Sequence, residues 1–237
     1  DIVDVTRTLA TLLITGPKAP AIVGMVIGQS TTQSDFPWLS HRVVKVADCD
    51  VTAIRVSFAG EAGFELHCNM DDVVSVYDAV IAEGEGKQLR HFGMLALDSM
   101  RLEKGYRSWK ADLTSDYTMV ESGLKRWISF KKNKFVGRAA LQDECKVGSK
   151  REFITLILDD PEDNKPFGEA VYLSSVLIDG VDMGLVVSSG YGHRVKASIA
   201  MAVVDCEALK NGSEISVLVL GRPRQARLVQ DHASYDP

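Results

Sequence analysis

The chain has 237 residues, is 46% hydrophobic and carries a net charge of −5 from 27 basic and 32 acidic side chains, enough to bury a core as one large domain or two smaller ones. Charges of both signs are spread along it with no basic stripe, which argues against nucleic acid as a partner. Its longest apolar runs, such as Val171 to Ile178, are far too short to span a bilayer.

The four cysteines (Cys49, Cys68, Cys145, Cys206) form no CxxC pair. That spacing argues against a zinc or iron–sulfur site and for free thiols in a reducing compartment. The expectation is therefore a cytoplasmic protein, or one of the mitochondrial matrix in a eukaryote. No signal peptide is visible, and the chain runs from Asp1 straight into strand-like residues (Ile2, Val3, Val5), which reads as a fragment or a processed product.

In chain order, Thr8 to Ile14 predicts a strand that stops at the turn Gly16-Pro17, and Ala19 to Val26 a helix with Pro20 tolerable in its first turn. His41 to Val46 and Val51 to Phe58 suit two antiparallel strands, and Glu65 to Cys68 a further one. Asp71-Asp72 is expected to cap a helix through about Ala82, with Val73, Val76, Tyr77 and Val80 on one face. Gly93 to Lys104 predicts a second helix, with Met94, Leu97 and Leu102 among its apolar positions and Gly105 just past its end. Gly137 to Asp143 reads as a short helix.

From Arg151 onward the texture changes to short β-rich runs. These are Phe153 to Leu158, Ala170 to Leu173, Val176 to Ile178, Gly184 to Ser188, Ser198 to Val204 and Ile215 to Leu220. Asp179-Gly180 and Asn211-Gly212 are turn dipeptides between them. The expected fold is α+β. Residues 1–148 form an antiparallel-sheet region with flanking helices, and residues 150–237 an antiparallel β-barrel or jelly roll.

Three segments invite a chemical reading. Glu61 stands between Gly60 and Gly63, where a strand bends and a flat ligand could approach bare backbone. A carboxylate there can accept two parallel N–H bonds from a planar amidine-like edge, such as that of a pterin. Spacing alone favours an exposed β-turn carboxylate over that reading. Arg101 shares a helix face with Asp98 and could clamp an anionic group, although on composition alone an ordinary surface ion pair is the better explanation. Trp109 and Tyr106 could stack on a heterocycle, or close the core over a helix end, the commoner fate of aromatics.

None of the five histidines lies in an HxxxH or HExxH arrangement, and no Ser sits in a GxSxG elbow. The chain also has no GxGxxG opening a βαβ unit, so it carries no ordinary flavin or nicotinamide dinucleotide site of its own. No metal ligand set is expected.

Five ordered motifs resemble the glycine-cleavage T-protein family. They are Val3-Asp4-Val5-Thr6 through Gly16-Pro17-Lys18-Ala19, Phe58-Ala59-Gly60-Glu61-Ala62-Gly63-Phe64-Glu65-Leu66, Asp98-Ser99-Met100-Arg101-Leu102-Glu103-Lys104-Gly105, Phe135-Val136-Gly137-Arg138-Ala139-Ala140-Leu141, and the β-rich segments around Met183-Gly184, Ser188 to Tyr191 and Ile199 to Ala202. The closing Tyr235-Asp236-Pro237 is similar too. The resemblance implies tetrahydrofolate as cofactor, with Glu61 on the pterin edge, Arg101 beside the folate and Trp109 lining its pocket.

The same resemblance implies that a carboxylate near the reacting nitrogen belongs to a segment outside this chain, so no catalytic residue is assigned within it. The run Gly105 to Leu113 looks closer to the folate modules of flavin-dependent dimethylglycine and sarcosine dehydrogenases than to free T-protein. FAD would then belong to a flavin domain upstream, and the donor would be a small N-methyl or aminomethyl compound. The alternatives are a stand-alone aminomethyltransferase or other folate-dependent demethylase, and a non-catalytic folate-binding module. Relatives of the last kind carry a Cys after the long helix that Ser108 to Leu113 lacks.

Overall fold

The computed structural model describes residues 1–159 and 169–229. They fall into two compact units, Asp1–Leu97 and Asp98–Pro237.

The first unit holds an antiparallel sheet of β1 (Leu9–Thr15), β2 (His41–Val46), β3 (Cys49–Ile54) and β4 (Gly63–Asn69), in the order β1-β4-β3-β2. Strict alternation turns Val44, Val46, Val51, Ala53, Phe64, Leu66 and Cys68 to one face. Helices α1 (Ala19–Val26) and α2 (Val73–Gly84) bury Ala19, Val23, Val76 and Val80 against that face. The opposite face carries Glu65, His67 and the exposed Val43.

Two expectations shift here. The second strand of the first hairpin begins at Cys49 and ends at Ile54, because Ala47 and Asp48 both take positive φ (47° and 65°) and close a two-residue turn. No Asn-Gly signal marks that turn. Asp72 does not cap α2 with its side chain, since a 3₁₀ turn over Met70–Asp72 leads into the helix and leaves Asp72 helical. Val76 and Val80 are buried as the pattern required, whereas Tyr77 is exposed.

Helix α3 (Met94–Glu103) ends on Gly105 at φ 66°, whose N–H bonds back to Leu102, while the Tyr106 N–H reaches Arg101. Its buried residues are Arg101, Leu102 and Glu103, and Met94 is exposed. Helix α4 (Arg138–Val147) follows Gly137, which is left-handed.

Beyond it β5 (Arg151–Leu158), β6 (Ser175–Ile178), β7 (Val181–Gly192), β8 (Ala197–Asp205), β9 (Ile215–Val219) and β10 (Arg222–Leu228) close an antiparallel barrel in the order β10-β5-β8-β7-β6-β9. Strand β8 is buried on both faces. Ala200, Ala202 and Val204 point into the barrel core, and Ile199, Met201 and Val203 join Leu102 of α3 outside it. A continuous apolar run is what such a strand requires. A Cβ on Gly190 would lie 3.0 Å from the Leu102 side chain, so its absence gives α3 room.

Three readings of this half change. Ala170 to Leu173 is not a strand, and Leu173 turns at φ 67°. Asn211-Gly212 ends a short helix, α5 (Cys206–Asn211), in place of a hairpin. Gly212 has ordinary φ, but a Cβ there would meet the Ile178 side chain at 2.1 Å. Strand β10 had no apolar signature, because Arg-Pro-Arg-Gln-Ala-Arg-Leu is a polar run placed by pairing with β9 and β5. Tyr235-Asp236-Pro237 lies outside the described residues.

Candidate functional site

Glu61 sits in the first unit, on the link from β3 to β4. Gly60 takes φ 74°, and a Cβ on Gly63 would come within 2.9 Å of both the Ser57 Cβ and the Val56 carbonyl oxygen. Both glycines are therefore required, one for its dihedral and one for close approach. The link is tied down by the Gly16 N–H donating to the Ala62 carbonyl at 2.8 Å and by the Ala59 N–H donating to the Ser57 Oγ at 3.2 Å. Glu61 is half-buried, which differs from the fully exposed turn carboxylate that spacing allowed. Glu65, two strand positions into β4, bonds His67 at 3.0 Å and belongs to the sheet surface.

The same unit contains a cavity of about 720 Å³ along β1, lined among others by Thr15, Ile22, Tyr77, His91, Phe92 and Leu97. Tyr77 Oη and His91 Nε2 are 2.7 Å apart at its wall. Gly16, which holds Ala62, also lines it.

Arg101 and Trp109 sit in the second unit and share one network. The expected Asp98–Arg101 ion pair forms at 2.6 Å, but it is not a surface pair, since the Arg101 side chain is only 2% exposed. Its other guanidinium hydrogens go to the Asp112 Oδ2 at 2.6 Å, the Tyr106 carbonyl at 3.1 Å, the Ser188 Oγ at 2.8 Å and the Met201 sulfur at 3.5 Å. A buried guanidinium demands such a set of acceptors. The fork is thus occupied by this chain's own groups.

Trp109 is 76% exposed, so it does not close the core over α3, the commoner fate. It stands on a turn closed by Asp112. That carboxylate accepts the Ser108 N–H at 2.6 Å, while the Asp112 and Leu113 N–H groups return to the Ser108 carbonyl. Asp112 had no marker in the sequence beyond its place three residues after Trp109. Nearby, Arg107 lies over the Phe153 ring at 4.2 Å, and burial holds its guanidinium below the usual arginine range despite Asp112.

Among the described residues no group of His, Cys, Asp and Glu is arranged to hold a metal ion. No helix of the described residues is long and apolar enough to cross a membrane.

Comparison with known proteins adds the following. Residues 1–132 match the family model of the GCVT N-terminal domain, and residues 151–236 that of the glycine cleavage T-protein C-terminal barrel domain. The chain is 30% identical over 236 residues to human mitochondrial dimethylglycine dehydrogenase, covering 98% of this chain and 26% of that protein. It is 34% identical over 204 residues to mouse mitochondrial sarcosine dehydrogenase, covering 86% and 22%. An aminomethyltransferase of Caldanaerobacter subterraneus is 26% identical over 231 residues, covering 97% and 59%. The crystal structure of the glycine cleavage system aminomethyltransferase T from Bartonella henselae superposes with a TM-score of 0.77 at 20% identity, covering 94% of this chain and 58% of that one. The chain thus spans about a quarter of the length of the dehydrogenases and about three-fifths of the aminomethyltransferases.

Proposed function

The chain belongs to the glycine-cleavage T-protein family, and from that premise we propose that it binds tetrahydrofolate and serves one-carbon transfer. The product would be 5,10-methylene-tetrahydrofolate, formed with a unit taken from an N-methylated amine. The observation that carries this reading is the Glu61 link. A half-buried carboxylate stands there between two glycines that the backbone geometry requires, beside a main chain that approaches itself closely. That arrangement suits a flat ring offering paired N–H donors.

Tetrahydrofolate supplies the nucleophilic nitrogens that capture the carbon unit. The protein's part is to hold and orient, which gains rate by proximity. Glu61 fixes the pterin edge, and Trp109 offers an exposed face for stacking. Arg101 enters as a buried anchor beneath the Trp109 turn, because its donors are already taken by Asp98, Asp112, Ser188 and Tyr106. No residue of this chain is assigned the acid–base step.

The dehydrogenase relatives, aligned over nearly the whole chain at 30% identity, support a flavin-dependent demethylating protein as the setting, with FAD held by a domain other than this one. A stand-alone aminomethyltransferase is the second reading, supported by the Caldanaerobacter relative that aligns over 97% of the chain. Methylene-tetrahydrofolate made from dimethylglycine or sarcosine by the whole protein favours the first; formation only from an aminomethyl donor favours the second.

The first test is calorimetric titration with tetrahydrofolate. Glu61→Gln removes a charge-assisted pair and is expected to weaken binding by about tenfold or more while the urea midpoint stays put. Equal affinity of variant and parent removes Glu61 from the site.

A further inference from the structure

We infer that Asp112 is a positioning residue: it locks the turn that presents Trp109, and through that turn it sets the affinity for the ligand. The inference rests on the reading that Trp109 contacts the folate. Its own basis is the contrast between two neighbours. Trp109 is 76% exposed, whereas Asp112, three residues on, is 0% exposed.

The lock runs through named atoms. Arg101 Nη1 donates to the Asp112 Oδ2 at 2.6 Å, and the same oxygen accepts the Ser108 N–H at 2.6 Å. The Asp112 and Leu113 N–H groups bond the Ser108 carbonyl at 3.0 and 3.1 Å, and the Lys110 N–H bonds the Leu113 carbonyl at 3.1 Å. Trp109 pairs with Leu113 as an isolated bridge, and Lys110 holds φ 68° to make the bend. On one side of Trp109, Ser108 is thus tied directly to the buried carboxylate, and on the other Lys110 is tied to Leu113, the residue after Asp112.

Stability alone does not account for that carboxylate. Its Oδ1 is buried and has no hydrogen-bond partner, so the group is only half satisfied and its desolvation is poorly offset. A large apolar ring kept in water on a rigid turn likewise adds nothing to the core. The two costs make sense together if the turn is built to hold the ring ready. A pre-ordered aromatic face binds without a further loss of conformational freedom, which is where preorganisation gains affinity.

The test is a double-mutant cycle in tetrahydrofolate binding, read in every arm by calorimetric titration; Trp109 emission, with Trp38 and Trp127 replaced by Phe, reports the ring in the arms that keep it. Asp112→Asn keeps shape and the Ser108 contact but removes the charge that Arg101 grips. It is expected to weaken binding about tenfold and to raise the access of acrylamide and the rotational freedom of Trp109. The decisive expectation is coupling. Trp109→Ala with Asp112→Asn should bind no worse than Trp109→Ala alone, because Asp112 acts only through the ring.

Losses that add independently, or an Asp112→Asn protein that binds like the parent while Trp109→Ala does not, overturn the inference and leave the folate reading standing. Binding that ignores Trp109→Ala, or a folded parent that does not bind, overturns both. If Asp112→Asn fails to fold, Lys110→Val takes its place in the cycle. A β-branched residue at φ 68° opens the turn from an exposed position and leaves the buried ion pair intact; coupling to Trp109→Ala supports the inference, and parent-like binding overturns it.

Discussion

Glu121 shows how a single buried charge is managed in the second unit. Its carboxylate, 6% exposed, accepts from the Arg151 Nε at 3.0 Å and from the Thr118 N–H at 3.0 Å. Burial alone would raise its pKa, but the Arg151 and Thr118 hydrogen bonds outweigh burial and hold it below the usual glutamate value. A folded-state pKa below the unfolded one contributes stability that is present above the unfolded value and is lost as pH falls through the folded one. Glu121→Gln is therefore expected to be less stable than the parent at pH 7, with the difference shrinking on titration towards pH 3. Urea midpoints across that range check it; a gap independent of pH would show that charge is not what Glu121 contributes. At this scale the sequence was legible only where a residue's local frame decides its role. The backbone bend at Gly60 and Gly63 that carries Glu61 could be read, because dihedrals and close approach are local demands. The burial of Arg101 could not, because Asp112 and Ser188, which grip it, are brought there by a turn and by β7.

Strands and helices were readable where side-chain period and burial coincide. The alternation along β2, β3 and β4 and the continuous apolar run of β8 follow from one buried face and from two. Elements without that coincidence were missed. Strand β10 is polar, α5 is a single short helix capped by Asp205 accepting from the Glu207 and Ala208 N–H groups, and Ala170 to Leu173 is apolar yet turns. Gly184 on β7 shows an element's dependence on its neighbour. A Cβ there would lie 2.5 Å from the Val203 carbonyl oxygen and 2.8 Å from the Val204 Cα, both backbone atoms of the paired strand β8. Gly184→Ala should therefore destabilise by about 1–3 kcal/mol, as overpacking does when the neighbour cannot yield. Chemical denaturation gives the value; a neutral outcome would mean that β7 and β8 can part at that point.

The two units carry separate cores. One lies between the four-stranded sheet and α1 with α2; the other fills the barrel around Leu156, Val186, Ala202 and Val217. Leu156→Ala, at a fully buried barrel position, should cost about 2–5 kcal/mol. Hydrogen exchange should then quicken in β5 to β10 while the amides of β1 to β4 keep their protection. Equal loss in both would show that the cores share one cooperative transition. Sequence by itself determined the fold class, the order of sheet region before barrel, the family motifs and the Glu61 link. Each rests on local periodicity or on a dihedral that only certain residues accept. Tertiary structure alone decided that the barrel closes through a polar last strand, that Arg101 is a buried anchor, and that Asp112 lies beneath an exposed Trp109. Those outcomes depend on which distant groups meet, and a burial or an ion pair exists only once both partners are in place.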